Sequence, residues 1–205
     1  MSASGILFVI SGPSGSGKTT VLNGVLRRTE RLVFSISYTT RKPRGAEVDG
    51  REYFFISEEQ FKQKIEADAF VEYAKVHGHY YGTSRAFIES QFKARQDVLL
   101  DIDVQGARQV RERHSGAVTV FILPPSKKEI ERRLRERGTD DEEALAVRIA
   151  QARIELEACR QYDYVIVNHE IGAAVDQLRS VIVGERCRRP RCEPAVEAVL
   201  ASFAQ

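Results

Sequence analysis

The chain has 205 residues, 42% hydrophobic and 29% charged, with 31 Lys and Arg against 29 Asp and Glu for a formal net charge of +2. That is the composition of an ordinary globular domain with a real core, and the near balance of charge gives no support to a nucleic-acid or membrane-surface protein. No apolar run approaches the ~18 residues of a spanning helix, and Met1-Ser2-Ala3-Ser4 lacks a basic region, so no signal peptide is expected.

Residues 6–10 are an apolar run that reads as a buried strand, and residues 20–28 read as a helix. Between them stands Gly12-Pro13-Ser14-Gly15-Ser16-Gly17-Lys18-Thr19. Strand, glycine-rich turn and helix is the context in which G-x-x-x-x-G-K-T becomes a phosphate-binding loop rather than a bare turn. The glycines let backbone N–H groups converge on one concavity, Lys18 offers a cation to the outer phosphates, and the Thr19 hydroxyl is a ligand for Mg²⁺. The helix N-terminus adds its dipole.

Residues 32–36 read as a further strand. From about residue 37 to 87 the rhythm changes to short alternating segments at 52–56 and 70–76 and a hairpin-like Gly78-His79-Tyr80-Tyr81-Gly82-Thr83, with one helix at 58–67 among them. This predicts a small mixed subdomain inserted after the second strand. Its first stretch, Ser37-Tyr38-Thr39-Thr40-Arg41-Lys42-Pro43-Arg44-Gly45, is either a basic surface loop or a phosphate clamp made of two guanidinium forks. His77 and His79 have no metal-ligand company and read as hairpin residues.

Strands follow at 98–102, 117–123 and 164–167, with helical patterns at 104–113, 127–137, 142–161 and 172–189. The alternation argues an α/β fold, a parallel sheet flanked by helices, with ligands gathered at the carboxyl ends of the strands. The expected crevice therefore joins residues 12–19, 37–44, 101–103 and 168. Asp101 and Asp103 end an apolar strand, where a phosphoryl-transfer enzyme places a metal-linked carboxylate; capping the next helix is the alternative, more so for Asp103. Residues 127–153 carry Arg132, Arg133, Arg135, Arg137, Arg148 and Arg153 around Asp140-Asp141-Glu142-Glu143, with Gly138 as the turn and Thr139 or Asp140 as a helix cap. That is either a solvated helical hairpin or a lid whose arginines close on phosphates. Cys159, Cys187 and Cys192 are expected to be free thiols of a cytosolic protein. The basic stretch 186–191 leads to a short amphipathic end at 196–203, suited to an oligomer contact or surface packing.

Taken together, Gly12 to Thr19, Ser37-x-Thr39-Thr40-Arg41-x-Pro43-Arg44, Glu47-x-x-Gly50-x-x-Tyr53-x-Phe55 and Glu72-Tyr73-Ala74 resemble the guanylate kinase family. So do Tyr80-Tyr81-Gly82-Thr83, Leu100-Asp101-Ile102-Asp103-x-Gln105-Gly106, Pro124-Pro125-Ser126, Arg133-Leu134-x-x-Arg137-Gly138-Thr139, Arg148 and Val165-Ile166-Val167-Asn168. The resemblance covers about residues 5–182. It implies a P-loop NTPase-like core (1–36, 88–126, 157–190), a GMP-binding subdomain (37–87), a helical lid (127–156) and a C-terminal tail (191–205). It implies Mg²⁺-dependent transfer of the ATP γ-phosphoryl group to GMP, without nucleic acid or membrane and with the oligomeric state undecided.

By the same resemblance Arg41, Arg44, Tyr53 and Tyr81 take the GMP phosphate, Glu72 takes guanine N1–H and the 2-amino group, and Ser37 and Thr83 lie near O6. Gly82 and Asp101 belong to the same site. The loop 12–19 and Asn168, the latter close to adenine, take ATP. Lys18, Arg41, Asp101, Arg133, Arg137 and Arg148 serve the transfer, and Thr19 and Asp101, directly or through water, hold Mg²⁺. Physics agrees with the guanine reading, because a carboxylate accepts two adjacent donors that adenine lacks. Two other functions compete with this one: a binding module that has lost its ATP loop, and a kinase for a phosphorylated sugar, which should lack Ser37, Glu72 and Thr83.

Overall fold

A computed structural model describes residues 5–76, 78–136 and 142–204. In chain order the elements are β1 (Leu7–Ser11), α1 (Lys18–Arg28), β2 (Leu32–Phe34), β3 (Tyr38–Thr39), β4 (Phe54–Phe55), α2 (Glu58–Glu66), β5 (Phe70–Val76) and β6 (His79–Ser84). They continue as α3 (Arg85–Lys93), β7 (Asp97–Asp101), α4 (Val104–Arg113), β8 (Val118–Leu123), α5 (Lys127–Glu136), α6 (Glu142–Glu157), β9 (Tyr164–Val167), α7 (Ile171–Arg186) and α8 (Arg189–Phe203).

Period-two alternation along β1 explains the layers. Phe8 and Ile10 point to one face and join Val21, Leu22 and Val25 of α1 and Val175, Leu178 and Ile182 of α7. Leu7 and Val9 point to the other and join Ile88 of α3 and Ala107 and Val110 of α4. A strand buried on both faces has no polar side to offer, which is why it reads as an unbroken apolar run. The main sheet is parallel throughout, in the order β2-β7-β1-β8-β9. All five of its strands are those expected from the sequence.

A second sheet, in the order β4-β3-β6-β5, is mixed. Its β3 runs parallel to β4 and antiparallel to β6, and β5 pairs antiparallel with β6. Phe61 of α2 stacks on Phe70 and Tyr80, with ring centroids 4.6 and 5.2 Å away, and gives this small sheet an aromatic core of its own. Ser57 and Gln60 close a capping box that starts α2.

Two elements depart from expectation. Residues 85–93, left unassigned by the alternation, are helix α3, started by the Ser84 side chain accepting from Phe87 N. The tail is helical from Arg189, not only from residue 196; Pro190 fits the first turn, where its missing N–H costs nothing. Among the described residues no helix is long and apolar enough to cross a membrane, and the three cysteines are free.

Candidate active site

The turn between β1 and α1 wraps a concavity at the carboxyl end of the main sheet. Gly12, with φ of 150°, passes so close to β8 that a Cβ there would stand 2.3 Å from Ile122 O. Gly17 precedes α1 in the left-handed region, with φ of 85°, and a Cβ on it would meet Asn168 Nδ2 at 2.4 Å. Lys18 folds back over this turn: its Nζ donates to Gly12 O at 2.6 Å and stands 3.9 Å from Asp101 Oδ1 at the end of β7. Burial raises the Asp101 carboxyl above the usual carboxylate range, and Lys18 opposes that rise.

Across from the turn, β5 presents Glu72, Ala74 and Val76, every second residue, to the same space. Ser37, Tyr53, Tyr81, Asp101, Asp103, Val104 and Glu155 complete the walls of a cavity of about 320 Å³ whose other side is residues 12–19. Glu72 is only 3% exposed, and its Oε1 accepts from the Thr83 hydroxyl at 2.5 Å. Burial raises its carboxyl to about 7; the nearby Asp103 adds to the rise and Thr83 opposes it. Burial also raises the Tyr53 phenol, helped by Asp101. The cavity thus has a glycine-rich loop and the Lys18 cation on one side and, on the other, the buried Glu72 carboxyl with further acidic side chains around it.

A family model described as guanylate kinase matches residues 4–185. The chain belongs to the guanylate kinase family. It is 46% identical to a guanylate kinase of Geobacter sulfurreducens over 201 residues, which is 98% of this chain and 99% of that one. Against an Escherichia coli guanylate kinase it is 46% identical over 204 residues, 98% of each. Among solved structures, the guanylate kinase of Anaplasma phagocytophilum superposes with a TM-score of 0.78 at 34% identity, covering 93% of this chain and 90% of that one.

The site residues expected from the resemblance to guanylate kinases fall into two groups. The loop 12–19, Ser37, Tyr53, Glu72, Tyr81 and Asp101 line one cavity. Thr83 lies just behind, fully buried on Glu72. The other described ones do not line it. Arg41 is 7% exposed and grips Glu47 with Nη1 and Nη2, each at 2.9 Å, its charge 5.3 Å from the Tyr53 ring centroid. That fork raises the Arg41 pKa and lowers that of Glu47. Arg44 is exposed, and its backbone N donates to the same Glu47 carboxylate. Arg133 donates to Gly15 O and Ser16 O, each at 3.3 Å, and its Nε to Glu129 at 2.6 Å. Arg148 is half-buried on α6. Arg137, Gly138, Thr139, Asp140 and His77 lie outside the described residues.

At two of the expected site residues the structure also shows a packing role. Gly82 faces away from the cavity, because Tyr81 and Thr83 take the other face of β6; a Cβ at 82 would meet Phe61 at 2.9 Å and Phe70 at 3.1 Å. Its smallness serves the aromatic core. Asn168, expected beside adenine, is fully buried, with its Nδ2 donating to Ser16 O at 2.7 Å. It holds the loop from beneath, together with Arg133, and so aims the Ser16–Gly17 peptide. Asp103, part of the crevice expected at residues 101–103, lines the cavity, and so does Glu155, to which the sequence reading gave no role. Asp103 is also the cap of α4, accepting from Gly106 N at 2.9 Å, the role weighed for it from sequence. The helical pattern at 142–161 covers Glu155 without marking it as a cavity residue.

Proposed function

We propose that the protein catalyses reversible, Mg²⁺-dependent transfer of the ATP γ-phosphoryl group to GMP, giving ADP and GDP. The observation that carries this is one cavity with a phosphate loop on one wall and Glu72, Tyr53 and Tyr81 on the other. Family membership supports the same reaction. The acceptor is the phosphate oxygen of GMP, so no side chain needs to become a covalent nucleophile; the protein's contribution is alignment and neutralisation of charge.

In this reading residues 37–87 bind GMP and residues 127–156 act as a lid. Glu72 accepts from guanine N1–H and the 2-amino group, with Ser37 and Thr83 beside O6. Tyr53 and Tyr81 donate to the GMP phosphate, and Arg41, held flat by Glu47, and Arg44 supply its countercharge. Lys18 meets the outer phosphates of ATP. Arg133, Arg137 and Arg148 complete the enclosure from the lid, which keeps water from taking the phosphoryl group. The donor chemistry fits Mg²⁺, which favours oxygen ligands and keeps several waters: the Thr19 hydroxyl and the Asp101 carboxylate would hold it. When bound, it neutralises charge across the transferring phosphates.

A coupled ADP-release assay with GMP, AMP, CMP and UMP as acceptors tests the reading directly. GMP is expected to be turned over and the other three to be poor acceptors. Equal kcat/KM for AMP and GMP would overturn the guanine assignment. A second test concerns the loop: Asn168→Ala removes a buried hydrogen bond and leaves Ser16 O with Arg133 alone. It is expected to cost about 1–3 kcal/mol in thermal unfolding, and to raise KM for ATP several-fold more than KM for GMP. Equal effects on the two KM values would contradict its role beneath the loop.

A further inference from the structure

Helix α4 carries a glycine that its own geometry does not require. Gly106 sits in the first turn of α4 and is absent from the residues with positive φ. Backbone freedom is therefore not what the position uses, and glycine is a poor helix former. The position uses space. A Cβ at 106 would stand 2.3 Å from Glu72 Oε2, 3.0 Å from the Glu72 carboxyl carbon and 3.4 Å from Asp103 Oδ1. Real side-chain carbons do not approach an oxygen to 2.3 Å, so something has to move.

The helix is not free to be that something. One turn along, Gln109 is locked to the backbone of β5 from both ends of its amide: Nε2 donates to Tyr73 O at 2.7 Å, and Oε1 accepts from Tyr73 N at 3.3 Å. Arg113, on the same face, reaches Val71 O at 3.5 Å. These contacts fix α4 against the strand that carries Glu72. What gives is the carboxylate, the far end of a flexible side chain. Its other oxygen is held by Thr83 at 2.5 Å, so a shift away from residue 106 breaks that bond and turns the carboxylate out of its place in the cavity wall.

We propose that Gly106 is a specificity-positioning residue: the missing side chain lets α4 wall in the Glu72 carboxylate so that it faces the acceptor's purine edge with Thr83 behind it. The inference rests on the reading of Glu72 as the guanine contact and extends it to a residue that touches no substrate. It separates folding from recognition. The displaced group is one that the fold tolerates moving, and it is the group that reads the base. The close approach of α4 also contributes to the burial that raises Glu72 to about 7.

Steady-state kinetics and thermal unfolding of the full chain and of Gly106→Ala, Glu72→Ala and the double variant test this. Gly106→Ala is expected to raise KM for GMP at least tenfold, keep KM for ATP within twofold and lower the preference for GMP over AMP. In the Glu72→Ala background it should add less than twofold to KM for GMP and raise the melting temperature by roughly 2–4 °C, because alanine is the better helix former once the clash is gone. If Glu72→Ala raises KM for GMP but Gly106→Ala leaves it within twofold, this proposal alone is overturned. The same holds if Gly106→Ala acts with undiminished size in the Glu72→Ala background. A Gly106→Ala chain that does not fold, and that Glu72→Ala does not restore, also overturns it, since the space is then needed by the helix itself. If Glu72→Ala leaves KM for GMP unchanged, the guanine reading fails and takes this proposal with it.

Discussion

Lys18→Ala is expected to lower kcat about 10³-fold, or about 4 kcal/mol of transition-state stabilisation, while the Kd for GMP stays within about threefold. The division follows from where the ammonium sits. Its two neighbours are Gly12 O at 2.6 Å and Asp101 Oδ1 at 3.9 Å. Neither lies on β5 or β6, where Glu72, Thr83 and Tyr81 stand. Losing the charge therefore removes an interaction with the transferring phosphates and leaves the purine contacts as they were. A second consequence concerns Asp101, whose carboxyl burial raises against the opposing effect of Lys18. Without Lys18 it rises further in the metal-free protein. Calorimetry with GMP and single-turnover phosphoryl transfer separate the two effects, and GMP binding abolished by the substitution would contradict the division of labour.

How much of this was legible in the sequence depends on how local each cause is. The strands of the main sheet were readable because burial on both faces leaves an apolar run, as in β1, and the phosphate loop because its spacing sits between that run and a helix. Helix α3 was not. Its cap, Ser84, is also the last residue of β6, and Phe87 and Phe92 are aromatic residues that suit strands as well as helices. The extent of α8 was hidden by Pro194, which lies inside the helix. At the site, motif order brought the right residues to one cavity but could not say which atoms face it. Gly82 stands within a motif of site residues yet belongs to the aromatic core by the parity of its strand. Asn168 ends a strand at the ligand-bearing edge, yet lies beneath the loop. Gly106 stands in a family motif, but the sequence could not give its reason, which is a carboxylate on β5.

Glu72→Gln is expected to make the protein more stable and a worse kinase at the same pH. The carboxyl is raised from 4.5 to about 7 because burial penalises its charged form. For a raised acid the folded state binds the proton more tightly than the unfolded one. Its contribution to stability is therefore whole below about pH 4.5, is lost as pH rises toward 7, and stays lost above. The interval corresponds to about 3 kcal/mol, taken as an order of magnitude. Glutamine is neutral throughout and keeps an oxygen for the Thr83 hydroxyl, so the variant avoids this loss. Its melting temperature should match that of the parent near pH 4 and exceed it by roughly 5–10 °C at pH 8. Recognition moves the other way. A carboxylate accepts from both guanine donors, whereas the amide accepts from one and turns its own N–H toward the other, a mismatch of about 2–3 kcal/mol. KM for GMP should rise about 10²-fold with KM for ATP little changed. Thermal unfolding at the two pH values and the two KM values check both halves, and a variant less stable than the parent at pH 8 would contradict the first. Opposite signs on one side chain are what a buried group kept for recognition should give, because the fold bears the cost of its charge until a ligand with two donors arrives to share it.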